Sequence, residues 1–121
     1  MIVAVGIDLV ELARVRRAWL AHGERFVRRC FTEAEAALAA GRADPVPALA
    51  ARFAAKEAFQ KTWPETLSWR DVGIVTGAAG APQLAFSERV ARRLEAEGWR
   101  AHVSLTHARE HAAAVVVLER A

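Results

Sequence analysis

Apolar residues occupy the opening of the chain from Ile2 to Leu9, interrupted only by Gly6 and Asp8. The run is rich in β-branched residues and predicts a strand, whose two-residue repeat puts Gly6, Asp8 and Val10 on one face. From Glu11 the period lengthens: Leu12, Val15 and Trp19 recur at helical spacing to about Ala21, where Gly23 ends the element. Glu24 to Arg29 reads as a short helical turn with Phe26 and Val27 inward. Thr32 and Glu35 have capping-box spacing, so a helix is expected from about Glu33 to Ala40.

Gly41 to Pro47 is the one linker-like stretch. Pro45 and Pro47 introduce the longest helix, Ala48 to Thr62, which stops before Pro64. Val72–Thr76 and Gln83–Phe86 read as strands joined by the small-residue turn Gly77 to Pro82. Ser87 is the expected N-cap of a helix ending at Gly98, with Val90, Leu94 and Trp99 on its inner side. Ala101 to Thr106 alternates as a strand, and Ala112 to Leu118 is a continuous apolar run that predicts a strand buried on both faces. This succession of strand, helices, hairpin, helix and hairpin predicts an α+β fold.

With 121 residues, 54% of them apolar and 26% charged, the chain suits one globular domain over residues 1–121 and not a disordered segment. No apolar run approaches the roughly 18 residues of a membrane span. Met1 to Val5 lacks the cationic lead and cleavage site of a secretory signal, so a cytoplasmic protein is expected. The single cysteine, Cys30, excludes an internal disulfide framework. A net charge of +3 favours anionic partners: nucleic acid, phosphorylated cofactors, acidic proteins or anionic membrane. All but two of the 17 cations are arginine, and the exceptions, Lys56 and Lys61, lie five residues apart.

Three groups of residues carry candidate chemistry. On the long helix Arg52 and Lys56, and likewise Glu57 and Lys61, are stacked at i and i+4. Such pairs are ordinarily solvated, but these are set among Phe53, Ala54, Ala55, Ala58 and Phe59. Charges packed among apolar side chains usually have partners or a chemical task. Asp8 and Glu57, two carboxylates on different elements flanked by cations, suit a hard divalent ion such as magnesium. The string His107-Ala108-Arg109-Glu110-His111 matches a zinc-protease pattern, but that pattern needs a helix and this one lies between two strands. Arg14, Arg17, Arg25, Arg28 and Arg29 form either a solvated basic face or a dock for an acidic helix. Nucleic acid competes as the partner, although Trp19 and Trp99 fall on inner faces and no phosphate-cradling glycine loop is present.

The stretches Val5-Gly6-Ile7-Asp8-Leu9-Val10-Glu11-Leu12 with Arg14, Arg52-Phe53-Ala54-Ala55-Lys56-Glu57-Ala58-Phe59-Gln60-Lys61, and Val103-Ser104-Leu105-Thr106-His107 followed by Ala112 to Val116 together resemble the holo-acyl-carrier-protein synthases, small bacterial 4′-phosphopantetheinyl transferases. Lesser matches are Phe31-Thr32 with Glu35, Trp69 with Asp71, and Gly80-Ala81-Pro82; the resemblance spans the chain. It implies a single-domain fold with a small, mostly antiparallel sheet and a long central helix, assembled as a homotrimer with sites between subunits. It further implies transfer of 4′-phosphopantetheine from coenzyme A to a serine of apo acyl carrier protein, serving fatty acid biosynthesis, with release of adenosine 3′,5′-bisphosphate.

On that resemblance Asp8 and Glu57 hold magnesium, and Asp8, Glu57 and Lys61 are catalytic. Arg52, Lys56, Lys61, Ser104, Thr106 and His107 meet coenzyme A, while Arg14, Arg17, Arg25 and Arg28 receive the carrier protein. Neither nucleic acid nor membrane is an expected partner. Where the family commonly has a glycine-containing loop, this chain has Thr62-Trp63-Pro64-Glu65-Thr66-Leu67, and no coenzyme-binding role is carried over to it. The competing expectation is a non-catalytic basic α+β module that binds nucleic acid or an acidic protein.

Overall fold

The computed structural model describes residues 1–120. In chain order the elements are β1 (Ile2–Glu11), α1 (Leu12–His22), α2 (Glu24–Cys30), α3 (Glu33–Ala40), α4 (Val46–Thr62), β2 (Val72–Thr76), β3 (Pro82–Phe86), α5 (Glu88–Glu97), β4 (Trp99–His107) and β5 (His111–Arg120). The expected order is observed, with boundaries moved by no more than two residues at the ends of β1, α4, β4 and β5. The first turn of α4 starts at Val46 because Pro47, with no N–H to satisfy, fits the start of a helix. Asp44 Oδ1 accepts the Val46 amide at 3.1 Å.

Strands β1, β5 and β4 form an antiparallel sheet in that order, and β2 pairs with β3 as a separate hairpin. The register sets Gly6, Val116 and Val103 in one row, and Asp8, Ala114 and Leu105 in the next. These rows face inward, where α4 packs against β1 and β5. Ala54, Ala55, Ala58 and Phe59 are fully buried beneath them. Small residues let the helix approach the sheet, and Phe59 supplies on the order of 2–3 kcal/mol of burial by itself. Its ring packs on Trp63 and Phe86, linking α4 to the hairpin.

Gly6 decides how close the layers come. A β-carbon there would collide with the carbonyl oxygen of Ala58 and lie 3.2 Å from Thr62 Cγ2. The main chains of β1 and α4 therefore touch directly, and only glycine permits it.

The sheet's second face departs from expectation. Strand β5 alternates between buried even-numbered and half-buried odd-numbered positions, so it is not covered on both sides in the single chain. Val5, Ile7 and Leu9 of β1 pair across to Val117, Val115 and Ala113 on that outer face. Ile7 and Leu9 are each 67% exposed. The continuity of the apolar run describes the sheet, whose outer face is left uncovered among the described residues.

Ser87 also behaves differently from expectation. Its hydroxyl does not cap α5. Instead it donates to Asp71 Oδ1 at 2.7 Å, where Arg89 Nε also donates at 3.0 Å. Asp71 is buried and accepts the Ser68 amide as well. The Arg89 guanidinium beside it holds its carboxyl well below the usual carboxylate range.

Candidate active site

The close contact at Gly6 brings the next inward-facing residue of β1, Asp8, to the last turn of α4. Lys61 Nζ donates to Ile7 O at 2.7 Å and lies 3.4 Å from Asp8 Oδ1. The Asp8 side chain is 17% exposed, whereas that of Lys61 is 54% exposed. Glu57 is half-buried one helical turn before Lys61, on the same stripe of α4. Among the described residues it takes part in no side-chain hydrogen bond or ion pair. The site thus contains two acidic groups on separate elements, with an ammonium beside the first.

The donor set suits a hard cation that keeps water ligands. No cluster of three or more metal-ligating side chains exists among the described residues. Two carboxylates with spare lone pairs could hold a hard divalent ion, which would take the rest of its ligands from water.

Lys56, expected to meet coenzyme A, is buried behind this surface, although it borders the small cleft that Glu57 also lines. Its side chain is 1% exposed, with Nζ 2.6 Å from Glu35 Oε1. It also donates to Trp69 O at 2.7 Å and Val72 O at 2.9 Å, so its three protons are committed. Burial pulls the ammonium below its ordinary range against the opposing pull of Glu35. Glu35 in turn completes the Thr32 capping box and accepts the Ile74 amide at 2.9 Å. Helical spacing stacks Lys56 with Arg52 but contains no sign of Glu35, 21 residues earlier.

Arg52 is half-buried and turns back along α4 to donate to Ala48 O at 3.3 Å. Burial lowers its pKa, and the charges it senses are Glu35 and Arg42, not Asp8. Ser104 and Thr106 are exposed on the outer face, opposite Val115 and Ala113. That is the far side of the sheet from Asp8. His107 pairs with Ala112 on the inward face, exposed at the end of β4. The turn after it is not helical, so the zinc-protease reading of His107 and His111 fails on geometry.

The arginines separate. Arg14 and Arg25 line a depression of about 470 Å³, together with Arg29 and His22, over an apolar floor that includes Phe26 and Phe53. The Arg14 guanidinium sits 6.0 Å above the Phe53 ring, which stacks on Trp69 at 4.9 Å. Arg17 and Arg28 open onto two other depressions. Phe53 and Trp69 are the contributors that residue spacing missed, since an aromatic near a charged stripe reads equally as core. Cys30 borders the same depression, buried, with its thiol pushed up by that burial.

The chain matches the family model described as the 4′-phosphopantetheinyl transferase superfamily over residues 4–116. It is 58% identical over 120 residues to a holo-[acyl-carrier-protein] synthase of Thermus thermophilus, covering 98% of this chain and 94% of that protein. It belongs to the holo-acyl-carrier-protein synthase family. Among solved structures, the family member from Neisseria meningitidis superposes with a TM-score of 0.91 at 34% identity, covering 99% of this chain and 100% of that one. The family member from Bacillus anthracis, solved in complex with CoA (3′,5′-ADP), superposes with a TM-score of 0.83 at 32% identity, covering 100% of this chain and 99% of that one. The single-domain α+β family fold, with its antiparallel sheet and long helix, is thus the fold of this chain.

Proposed function

We propose that this chain is a magnesium-dependent holo-acyl-carrier-protein synthase, transferring 4′-phosphopantetheine from coenzyme A to the serine of apo acyl carrier protein in the cytoplasm. The products are holo acyl carrier protein and adenosine 3′,5′-bisphosphate, and the reaction supports fatty acid biosynthesis. The observation that carries the reading is the Asp8–Lys61 contact one helical turn from an unpartnered Glu57. Family membership supports it, as does the coenzyme ligand of the Bacillus anthracis relative.

In this reaction the serine oxygen forms a bond to the phosphorus bearing pantetheine, and the bond from that phosphorus to the bridging oxygen breaks. The electron pair leaves with adenosine 3′,5′-bisphosphate. Glu57 accepts the serine proton. Lys61 offers a point charge to the diphosphate and is aimed by the Ile7 carbonyl. Asp8 and Glu57 would hold magnesium, which when bound neutralises charge on the diphosphate. Arg14 and Arg25, over Phe53, offer a basic, partly apolar seat for an acidic carrier helix.

The open outer face supports a homotrimer. Burying Ile7 and Leu9 of one copy against another removes exposed apolar surface from water. Ser104 and Thr106, on that face, would then reach coenzyme A at a site shared between copies.

The test is a mass measurement of apo acyl carrier protein after incubation with this protein, coenzyme A and magnesium. A phosphopantetheine adduct is expected. Absence of the adduct, with carrier binding retained, overturns the enzyme in favour of a non-catalytic module.

A further inference from the structure

Gln60 lies on α4 between Glu57 and Lys61, and its carboxamide engages the segment that follows the helix. Nε2 donates to Glu65 O at 2.8 Å, and Oε1 accepts the Leu67 amide at 2.8 Å. Both bonds use the amide in one orientation, with its donor and acceptor ends each matched. The segment is pinned elsewhere too. Trp63 is buried against Phe59, and Arg93 of α5 pairs with Glu65 at 2.5 Å. The Ser68 amide donates to Asp71. A connection with no regular backbone pairing is ordinarily mobile; this one is tied at four independent points.

The tied segment forms one side of a narrow cleft of about 100 Å³. Lys56, Glu57 and Gln60 of α4 line one side of it, and Leu67, Ser68, Trp69 and Val72 line the other. Such a cleft excludes a folded protein and admits part of a small molecule. The wider arginine-rimmed depression next to it, sharing Trp69, is the one with room for a protein surface.

We propose that Gln60 is a positioning residue for the donor substrate: by clamping Glu65 and Leu67 to the helix that carries Glu57 and Lys61, it preforms the wall on which coenzyme A seats. The inference rests on the transferase reading above. A preformed wall lowers the ordering cost of binding and acts alike on ground and transition states, so its loss raises KM and leaves kcat in place.

The test compares the full chain with Gln60→Met, which keeps side-chain length and helix preference but makes neither bond, and with Arg93→Met, which removes the Glu65 anchor from α5. Steady-state transfer is measured with coenzyme A and carrier protein varied separately, and coenzyme A alone is titrated by calorimetry. For Gln60→Met the expected result is a rise of about 5–10-fold in both KM and Kd for coenzyme A, with kcat within about twofold and the carrier KM unchanged. Arg93→Met moves the same two quantities less, and it carries the test if Gln60→Met does not fold. Unchanged coenzyme A affinity in both variants overturns the inference, as does a fall in kcat and in carrier affinity that merely follows a lowered melting temperature. A parent protein that binds coenzyme A but transfers nothing refutes the transferase reading instead, and the calorimetric comparison still reads the clamp.

Discussion

Lys56 and Glu35 form an ion pair of 2.6 Å in which neither side chain is more than 1% exposed. The pair joins α4 to α3, and further bonds of both partners reach β2 and the segment before it. Removing one partner leaves a buried charge uncompensated, so Lys56→Met is expected to cost about 3–5 kcal/mol. Glu35→Gln should cost a similar amount, and the double variant clearly less than the sum. Urea midpoints of the four proteins in a double-mutant cycle provide the measurement.

Gly6→Ala places a methyl group where the Ala58 carbonyl lies. Strand β1 must lift from α4, at an expected cost of about 1–3 kcal/mol. Because Asp8 follows two residues later, transfer activity should fall more than stability does. Comparing kcat with the melting temperature separates the two effects.

Asp8→Ala and Glu57→Ala each remove one of the two carboxylates. Loss of transfer by about 10²-fold or more is expected for each, with the circular dichroism spectrum of the parent retained. Magnesium titration of the parent should restore activity after chelation and should fail to do so in either variant.

Asp71 has a folded-state pKa below its unfolded value of about 3.9 because Arg89 and two other donors stabilise the charged form. The unfolded chain therefore binds the proton first as acid is added, and the stabilisation present above about pH 4 is lost as pH falls through the folded pKa. Arg89→Met raises that folded pKa toward the ordinary value. The variant should be less stable at neutral pH, and its urea midpoint should change less between pH 6 and pH 3, a range of about three units around the unfolded value.

Ile7→Asp puts a charge at the centre of the exposed apolar face. Sedimentation of the parent is expected to show three-chain particles, and of the variant single chains with the parent's helix content. A parent that sediments as single chains removes the support for a shared site.

Much of the fold was legible because its determinants are local. The Thr32–Glu35 capping box, the prolines at the start of α4 and the alternation that turns Asp8 inward all act within a few residues. Glu57 and Lys61 could be placed on one stripe by counting along a helix. What lay beyond reach depended on distant partners. Nothing near Lys56 shows that Glu35 will meet it, and Ser87 has the form of a cap although Asp71 takes its hydroxyl. Ser104 and Thr106 were assignable to a strand, but only the pairing of β4 with β5 shows that they face away from Asp8. The arginine set divides for a similar reason, since helices of two to three turns present successive cations in different directions.

The nearest approach of β1 to α4 at Gly6 is to the Ala58 main chain, with no side chain of the strand between them. Peptide atoms have the same dimensions whatever residues flank them, so the gap between strand and helix there is a constant of the polypeptide and not a product of how neighbouring groups happen to fit. Drift elsewhere in the interior can loosen or tighten other layers, yet the reach from Asp8 on the strand to Lys61 on the helix is gauged by bare backbone, and stays the same until the glycine itself is lost.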